Sequence, residues 1–186
     1  GLFLDAGLGK TKIGCDLIQH TYSQDTSRFW LIVALKVNQF TWAKEMSLHS
    51  KGTHSLIPIT ATGKARTKSI LEALKNTSCR GLVVTYDTCR VAKELLYEAV
   101  PYTDVILDES HSLRSPKSGK TKAVLDLLTM KPVARRLLLS GTPSLGSPMH
   151  LWGQLKSLGE FVVPNSWHFI NTYAIRSPYN KHIVTG

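Results

Sequence analysis

Cysteine is scarce in this chain of 186 residues: Cys15, Cys79 and Cys89 are an odd number with no Cys-x-x-Cys spacing. They offer no disulfide framework, and a reduced intracellular setting fits them better. The seven histidines form no ligand-spaced pair, which argues against a zinc site. Apolar runs stay well below the roughly 20 residues that cross a bilayer, and no signal peptide is visible. A membrane partner is therefore not expected. No internal repeat and no disordered tract stands out, and no Asn-Lys-x-Asp base-recognition motif occurs, which disfavours a GTPase. Acidic side chains are also few. There are 13 Asp and Glu against 23 Lys and Arg, a formal charge of +10 and a pI near 9.7. Two readings of that excess stay open: a polyanionic partner, most simply nucleic acid, or a solvated basic surface balanced by acidic regions elsewhere in a parent chain.

Hydrophobic residues make up 42% of the chain and charged residues 19%, enough for one domain with a proper core. The informative stretch is the first eleven residues. The apolar run Leu2-Phe3-Leu4 breaks into Gly7 and Gly9, and Lys10-Thr11 then opens an apolar pattern of helical period. This is the pattern of a phosphate-binding loop: glycines let backbone N–H groups point at phosphate oxygens, and the helix N-terminus adds partial positive charge. Ala6, Gly7, Leu8, Gly9, Lys10 and Thr11 would cradle the nucleotide, with Lys10 on the β/γ-phosphates and the Thr11 hydroxyl on Mg²⁺. The usual pattern has a glycine where Leu4 stands, and a plain glycine turn between strand and helix is the alternative.

Downstream, apolar runs of strand length alternate with helical patterns. Phe29 to Leu35, Leu82-Val83-Val84, Val105-Ile106-Leu107 and Leu137-Leu138-Leu139 read as buried strands, and Leu56 to Ile59 as an edge strand because of Pro58. The expected helices place inward Ile13, Leu17 and Ile18, ending near Ser23; Phe40, Ala43 and Met46; Ile70, Leu71 and Leu74; Val91, Leu95 and Leu96; and Ala123, Val124, Leu127 and Leu128. Thr60 to Lys68 reads as a loop, and Trp167 to Tyr173 as a helix leading out of the domain. Such alternation predicts βαβ units: an α/β fold, with a mainly parallel sheet and helices on both faces. Ligands in these sheets bind at the carboxyl ends of strands. Asp108-Glu109-Ser110-His111 and Ser140-Gly141-Thr142-Pro143 both follow buried strands, so one sheet edge should collect them with the phosphate loop. An acidic pair there suits a nucleotide hydrolase, Asp108 holding Mg²⁺ and Glu109 polarising the attacking water.

Gly-Leu-Gly-Lys-Thr, Asp-Glu-Ser-His and Leu-Ser-Gly-Thr-Pro, in this order and spacing, resemble motifs I, II and III of helicase superfamily two, and within it the Swi/Snf-type DNA translocases. Val33-Ala34-Leu35-Lys36 with Trp42 and Glu45 resembles the family's motif Ia segment, although proline is usual where Leu35 stands. Gly63 with Arg66, Thr85-Tyr86-Asp87 and Leu151-Trp152 match further family blocks. Ser110 and Pro148 lean toward the annealing-helicase-like and phage or bacterial branch; many remodellers carry Asp-Glu-Ala-His, and a glutamine–asparagine pair where Leu145 and Gly146 stand.

The resemblance implies a RecA-like P-loop domain, first of two lobes, over residues 1–160, with 161–186 starting a connection to a second lobe. It implies ATP and Mg²⁺ as cofactors, Lys10, Asp108 and Glu109 as catalytic residues, and Thr11 and Asp108 as metal ligands. His111, Ser140, Gly141 and Thr142 would couple the nucleotide site to DNA, their alternatives being a loop cap and a plain turn. Lys36, Thr85 and Arg114 become candidate contacts to the backbone of double-stranded or branched DNA, solvated side chains being the alternative. Trp42 and Trp152 read as core or interface anchors rather than base-stacking platforms. Residue 1 is not methionine, and neither an adenine-recognition segment nor an arginine finger is found, so a piece of a longer protein, poorly active alone, is expected. The parent would work in the cytoplasm or nucleoid if bacterial or phage, and in the nucleus if eukaryotic. Three functions stay open: a double-stranded DNA translocase lobe, a strand-separating or restriction-type motor lobe, and a nucleotide- or DNA-binding module without turnover.

Overall fold

A computed structural model describes residues 1–144, 147–159, 163 and 165–173, together with the backbone of residues 175–176 and 184–185. Leu145 and Gly146, singled out in the sequence, lie outside the described residues, as do Pro164 and Pro178. Six strands form one parallel sheet: β1 (Leu2–Phe3), β2 (Trp30–Ala34), β3 (Ser55–Pro58), β4 (Cys79–Thr85), β5 (Asp104–Asp108) and β6 (Arg135–Ser140). Their spatial order is β1-β6-β5-β2-β4-β3. Eight helices are described: α1 (Lys10–Gln24), α2 (Gln39–His49), α3 (Gly63–Leu74), α4 (Tyr86–Val91), α5 (Lys93–Ala99), α6 (Gly119–Met130), α7 (Met149–Leu158) and α8 (Ser166–Tyr173). A short antiparallel pair, β7 (Ile175–Arg176) with β8 (Val184–Thr185), forms a second sheet.

The two central strands, β2 and β5, are buried at every residue, which is why they read as continuous runs rather than alternating ones. Period-two geometry then divides their side chains between two cores. Leu31, Val33, Leu82, Val84, Val105, Leu107 and Leu138 pack with residues of α3 to α6. Trp30, Ile32, Val83, Ile106 and Leu139 pack with Cys15 and Ile18 of α1 and Trp42 and Met46 of α2. Each large apolar side chain so buried contributes about 1.5–3 kcal/mol before chain entropy is set against it. A third cluster, Trp152, Val163 and Phe169, joins α7 to α8, and Trp152 is the anchor its sequence context suggests.

The α/β class, the parallel sheet and the edge position of β3 match expectation. Several faces do not. In α2 the buried residues are Gln39, Trp42 and Met46, while Phe40 is 64% exposed. The helix is rotated because Gln39 and Trp42 carry polar tips that reach the interior: Gln39 Nε2 donates to the Val83 carbonyl at 2.9 Å. Ile13, Leu71 and Val91 are likewise exposed, their helices burying Cys15, Ile70 and Cys89 instead. Helix α3 begins at Gly63, so the loop before it is shorter than the polar stretch Thr60 to Lys68 suggests. Packing of Ile70 and Ala73 on the sheet outweighs that stretch's weak propensity. The single helix expected after β4 is two short ones, parted at Ala92, whose φ of −136° and ψ of 30° break the helix.

Candidate active site and basic cleft

The first site element is the loop between β1 and α1. Gly7 and Gly9 have φ values of 81° and 75°, the left-handed region that only glycine enters freely. Gly9 is the N-cap of α1 and offers no side chain to its first amides, and the first turn holds no acidic residue. Those N–H groups and the positive end of the helix are suited to an anion. Lys10 Nζ donates to the Leu4 and Asp5 carbonyls at 2.7 and 2.9 Å, so the lysine folds back over its own loop.

Strand register gathers the remaining parts. Phe3 pairs with Ser140, and Leu139 with Asp108, so Leu4, Asp108 and Gly141 emerge at the same edge. A Cβ on Gly141 would lie 3.5 Å from the Leu4 carbonyl and 3.8 Å from Lys10 Nζ, which puts Ser140-Gly141-Thr142 against the loop between β1 and α1.

Asp108 is 5% exposed and bonded at both carboxylate oxygens. Its Oδ2 accepts from Trp42 Nε1 at 2.9 Å and Asn38 Nδ2 at 3.4 Å, and its Oδ1 from the Glu109 amide at 3.0 Å. The Tyr86 hydroxyl donates to the Asp108 carbonyl at 2.8 Å, and burial beside Asp108 raises the phenol's pKa well above its usual value. Tyr86 therefore stays a neutral donor. Glu109 adopts φ 48° and ψ 52°, a left-handed conformation that costs a non-glycine residue about 1–3 kcal/mol and is held only where its surroundings demand it. The bend turns its carboxylate toward His111, whose Nδ1 lies 3.1 Å from Glu109 Oε2 and 3.2 Å from Ser140 Oγ. Ser140 Oγ accepts from the Thr142 amide at 3.2 Å, completing a chain Glu109–His111–Ser140–Thr142 across two strands.

Thr11 and Asp108 supply a hydroxyl and a carboxylate, hard oxygen donors suited to Mg²⁺, which commonly uses one or two carboxylates plus substrate phosphates. Among the described residues no three His, Cys, Asp or Glu converge, so no all-protein cage competes with that arrangement. The three thiols are buried, and burial pushes Cys15 and Cys89 up to about 12, which removes them as nucleophiles.

The candidate DNA contacts divide. Lys36 and Thr85 line one cleft of about 280 Å³ at the ends of β2 and β4, joined there by Arg66 and Lys120. Arg114 lies outside it, lining a separate cavity with Lys117 and His150. Thr85 also acts locally as the N-cap of α4, its Oγ1 accepting from the Thr88 amide at 3.0 Å. Two site-adjacent residues escaped the sequence reading. Trp42 was legible only as an anchor. Gln154, fully buried on α7, accepts from Ser110 Oγ at 2.8 Å and donates to the Pro143 carbonyl at 2.6 Å, tying Ser110 to the loop after β6. Contacts across 66 and 44 residues leave no local signal; an aromatic with a polar tip near motif Ia was the nearest hint.

Sheet order, flanking helices and this edge together define a RecA-like α/β lobe. A model of the SNF2-related domain family matches residues 1–180, and the chain belongs to that family. It is 34% identical over 154 residues to "Putative protein p41" of Acyrthosiphon pisum secondary endosymbiont phage 1, covering 80% of this chain and 33% of that protein. It is 31% identical over 180 residues to the SWI/SNF-related matrix-associated actin-dependent regulator of chromatin subfamily A-like protein 1 of Bos taurus, covering 94% and 17%. The fold matches the Sulfolobus solfataricus SWI2/SNF2 ATPase core, solved in complex with dsDNA. The TM-score is 0.73 at 18% identity, over 92% of this chain and 34% of that one. The chain thus spans about a third or less of the length of these relatives.

Proposed function

We propose that this chain is the first lobe of an ATP-dependent double-stranded DNA translocase, hydrolysing ATP with Mg²⁺ to drive movement on DNA. The observation that carries the reading is the convergence of Lys10, Asp108, Glu109 and Gly141 on one sheet edge, with the Lys36 cleft at strand ends on the same side. Residues Ala6 to Thr11 wrap the phosphates with backbone amides, and Lys10 exchanges its carbonyl partners for phosphate oxygens. Thr11 and Asp108 would hold Mg²⁺, which would supply positive charge to offset that of the phosphates. Glu109 orients and deprotonates the attacking water, as a positioned general base does. His111 and Ser140-Gly141-Thr142 link that base to the loop beside Lys10, which is how nucleotide state reaches the DNA-facing side.

Lys36, with Thr85 and Arg114, is assigned to the DNA backbone rather than to bases, because a motor moving on any sequence must avoid base-edge contacts that would stall it. Residues 1–160 form the lobe, 161–186 begin the connection to a second RecA-like lobe, and the parent acts inside the cell where its DNA lies. The test measures the parent's ATPase with and without duplex DNA, alongside a strand-displacement assay. Duplex-stimulated hydrolysis without displacement is expected. Displacement would make the protein a strand-separating motor, and equal ATPase in both conditions would leave a nucleotide-binding module.

A further inference from the structure

We propose that Trp42 is a positioning residue for Asp108, holding that carboxylate in register with the phosphate-loop helix. Trp42 is fully buried on α2, and its indole N–H points at Asp108 Oδ2 from 2.9 Å. An indole nitrogen only donates, so burial obliges it to find an acceptor, and the one it has is the carboxylate. The Asn38 amide reaches the same oxygen at 3.4 Å. With the Glu109 amide on Oδ1, three donors fix the plane of the group and leave a free lone pair on Oδ1.

The other side of the ring fixes where Asp108 stands. A Cβ on Gly14 would lie 2.5 Å from the Trp42 ring, so α1 approaches the indole as closely as only glycine permits. Gly14 sits one turn past Lys10, on the helix that presents Thr11. The indole is therefore a spacer with one edge on the phosphate-loop helix and its N–H on the carboxylate. Partners of this kind around a metal-binding carboxylate are commonly worth about 10- to 100-fold in metal affinity.

This role rests on the Mg²⁺–nucleotide reading of the site, and the test separates the two. In the full-length parent, Trp42→benzothienylalanine, with sulfur in place of the N–H, keeps an isosteric ring against Gly14 and removes only the donor. Mn²⁺ titrations followed by electron paramagnetic resonance, with ADP present, should show the Kd for Mn²⁺ rising about 10-fold or more. Metal-free ADP binding and Tm should stay close to wild type, which a merely structural role would not predict. Asn38→Ala, removing the longer bond, should fall between. Trp42→Phe, which also withdraws the ring from Gly14, should show the same loss of Mn²⁺ affinity together with a lower Tm. Wild-type Mn²⁺ affinity in either folded variant overturns the proposal. Failure of the wild-type parent to bind Mn²⁺ with ADP would instead reject the nucleotide-site reading itself.

Discussion

At the Asp108 end of the sheet edge, polar groups are buried or half-buried and in contact with one another; at the Lys36 end, basic groups are half-buried to exposed around a cleft. Asp108 takes hydrogen bonds from Trp42, Asn38 and Glu109, and Glu109 is held in a strained conformation beside His111. Lys36 sits in a short exposed turn, and Lys120, which shares its cleft, already pairs with Asp87 at 3.1 Å. The difference follows from the two roles proposed for them. Stabilising a transition state demands donors and charges fixed before reaction begins, and a packed interior supplies that rigidity. Gripping a polyanion that must slide demands charge but little geometry, so flexible solvated side chains serve.

If the contrast is correct, substitutions at the rigid end should act steeply and those at the loose end gradually. Glu109→Gln in the parent should cut DNA-stimulated turnover by about 10²–10⁴-fold while ATP still binds, because only the base is lost. Unchanged hydrolysis would mean Glu109 is not the base, and the strain at this position would need another explanation. Lys10→Ala comes next. Losing its charge-assisted bonds should weaken nucleotide binding about 10- to 100-fold by calorimetry, with duplex affinity in the absence of nucleotide retained.

At the loose end, Lys36→Ala should lower duplex affinity severalfold and about equally on unrelated sequences. The slope of log affinity against log salt should become shallower by about 0.9, the value for one phosphate. An unchanged slope would remove Lys36 from the interface. Thr85→Ala sharpens the comparison most finely. Loss of the α4 N-cap should cost about 1 kcal/mol in denaturant unfolding, and Thr85→Ser should restore it. A loss of duplex affinity at unchanged salt slope, beyond that of Thr85→Ser, would give the neutral Thr85 hydroxyl a phosphate contact as well; unchanged affinity would leave it a cap.

Much of the rigid site is legible from the chain alone, because its chemistry is written in contiguous strings. Gly7-Leu8-Gly9-Lys10-Thr11 specifies a left-handed turn and an uncapped helix start within five residues, and those conformations are present. Asp108, Glu109 and Ser140 to Thr142 each follow a run of buried aliphatic residues, and a parallel sheet brings such strand ends to one edge whatever the order of its strands. The spacing of Ala123, Val124, Leu127 and Leu128 likewise marks the buried face of α6 without ambiguity. Where a face includes polar tips, hydrophobic spacing misleads, as at Phe40 and Gln39.

Local order therefore decided the α/β class, the glycine loop before α1 and the place of the acidic pair, since backbone conformation and strand burial depend mostly on neighbouring residues. Tertiary structure decided which side chains stand behind them. That Trp42 meets Asp108, that Gln154 joins Ser110 to Pro143, and that Lys36 shares a cleft with Thr85 but not Arg114 all depend on crossovers bringing distant segments within ångströms. Hydrogen bonds form only at contact distance and in the right direction, and a linear order of residues contains neither quantity.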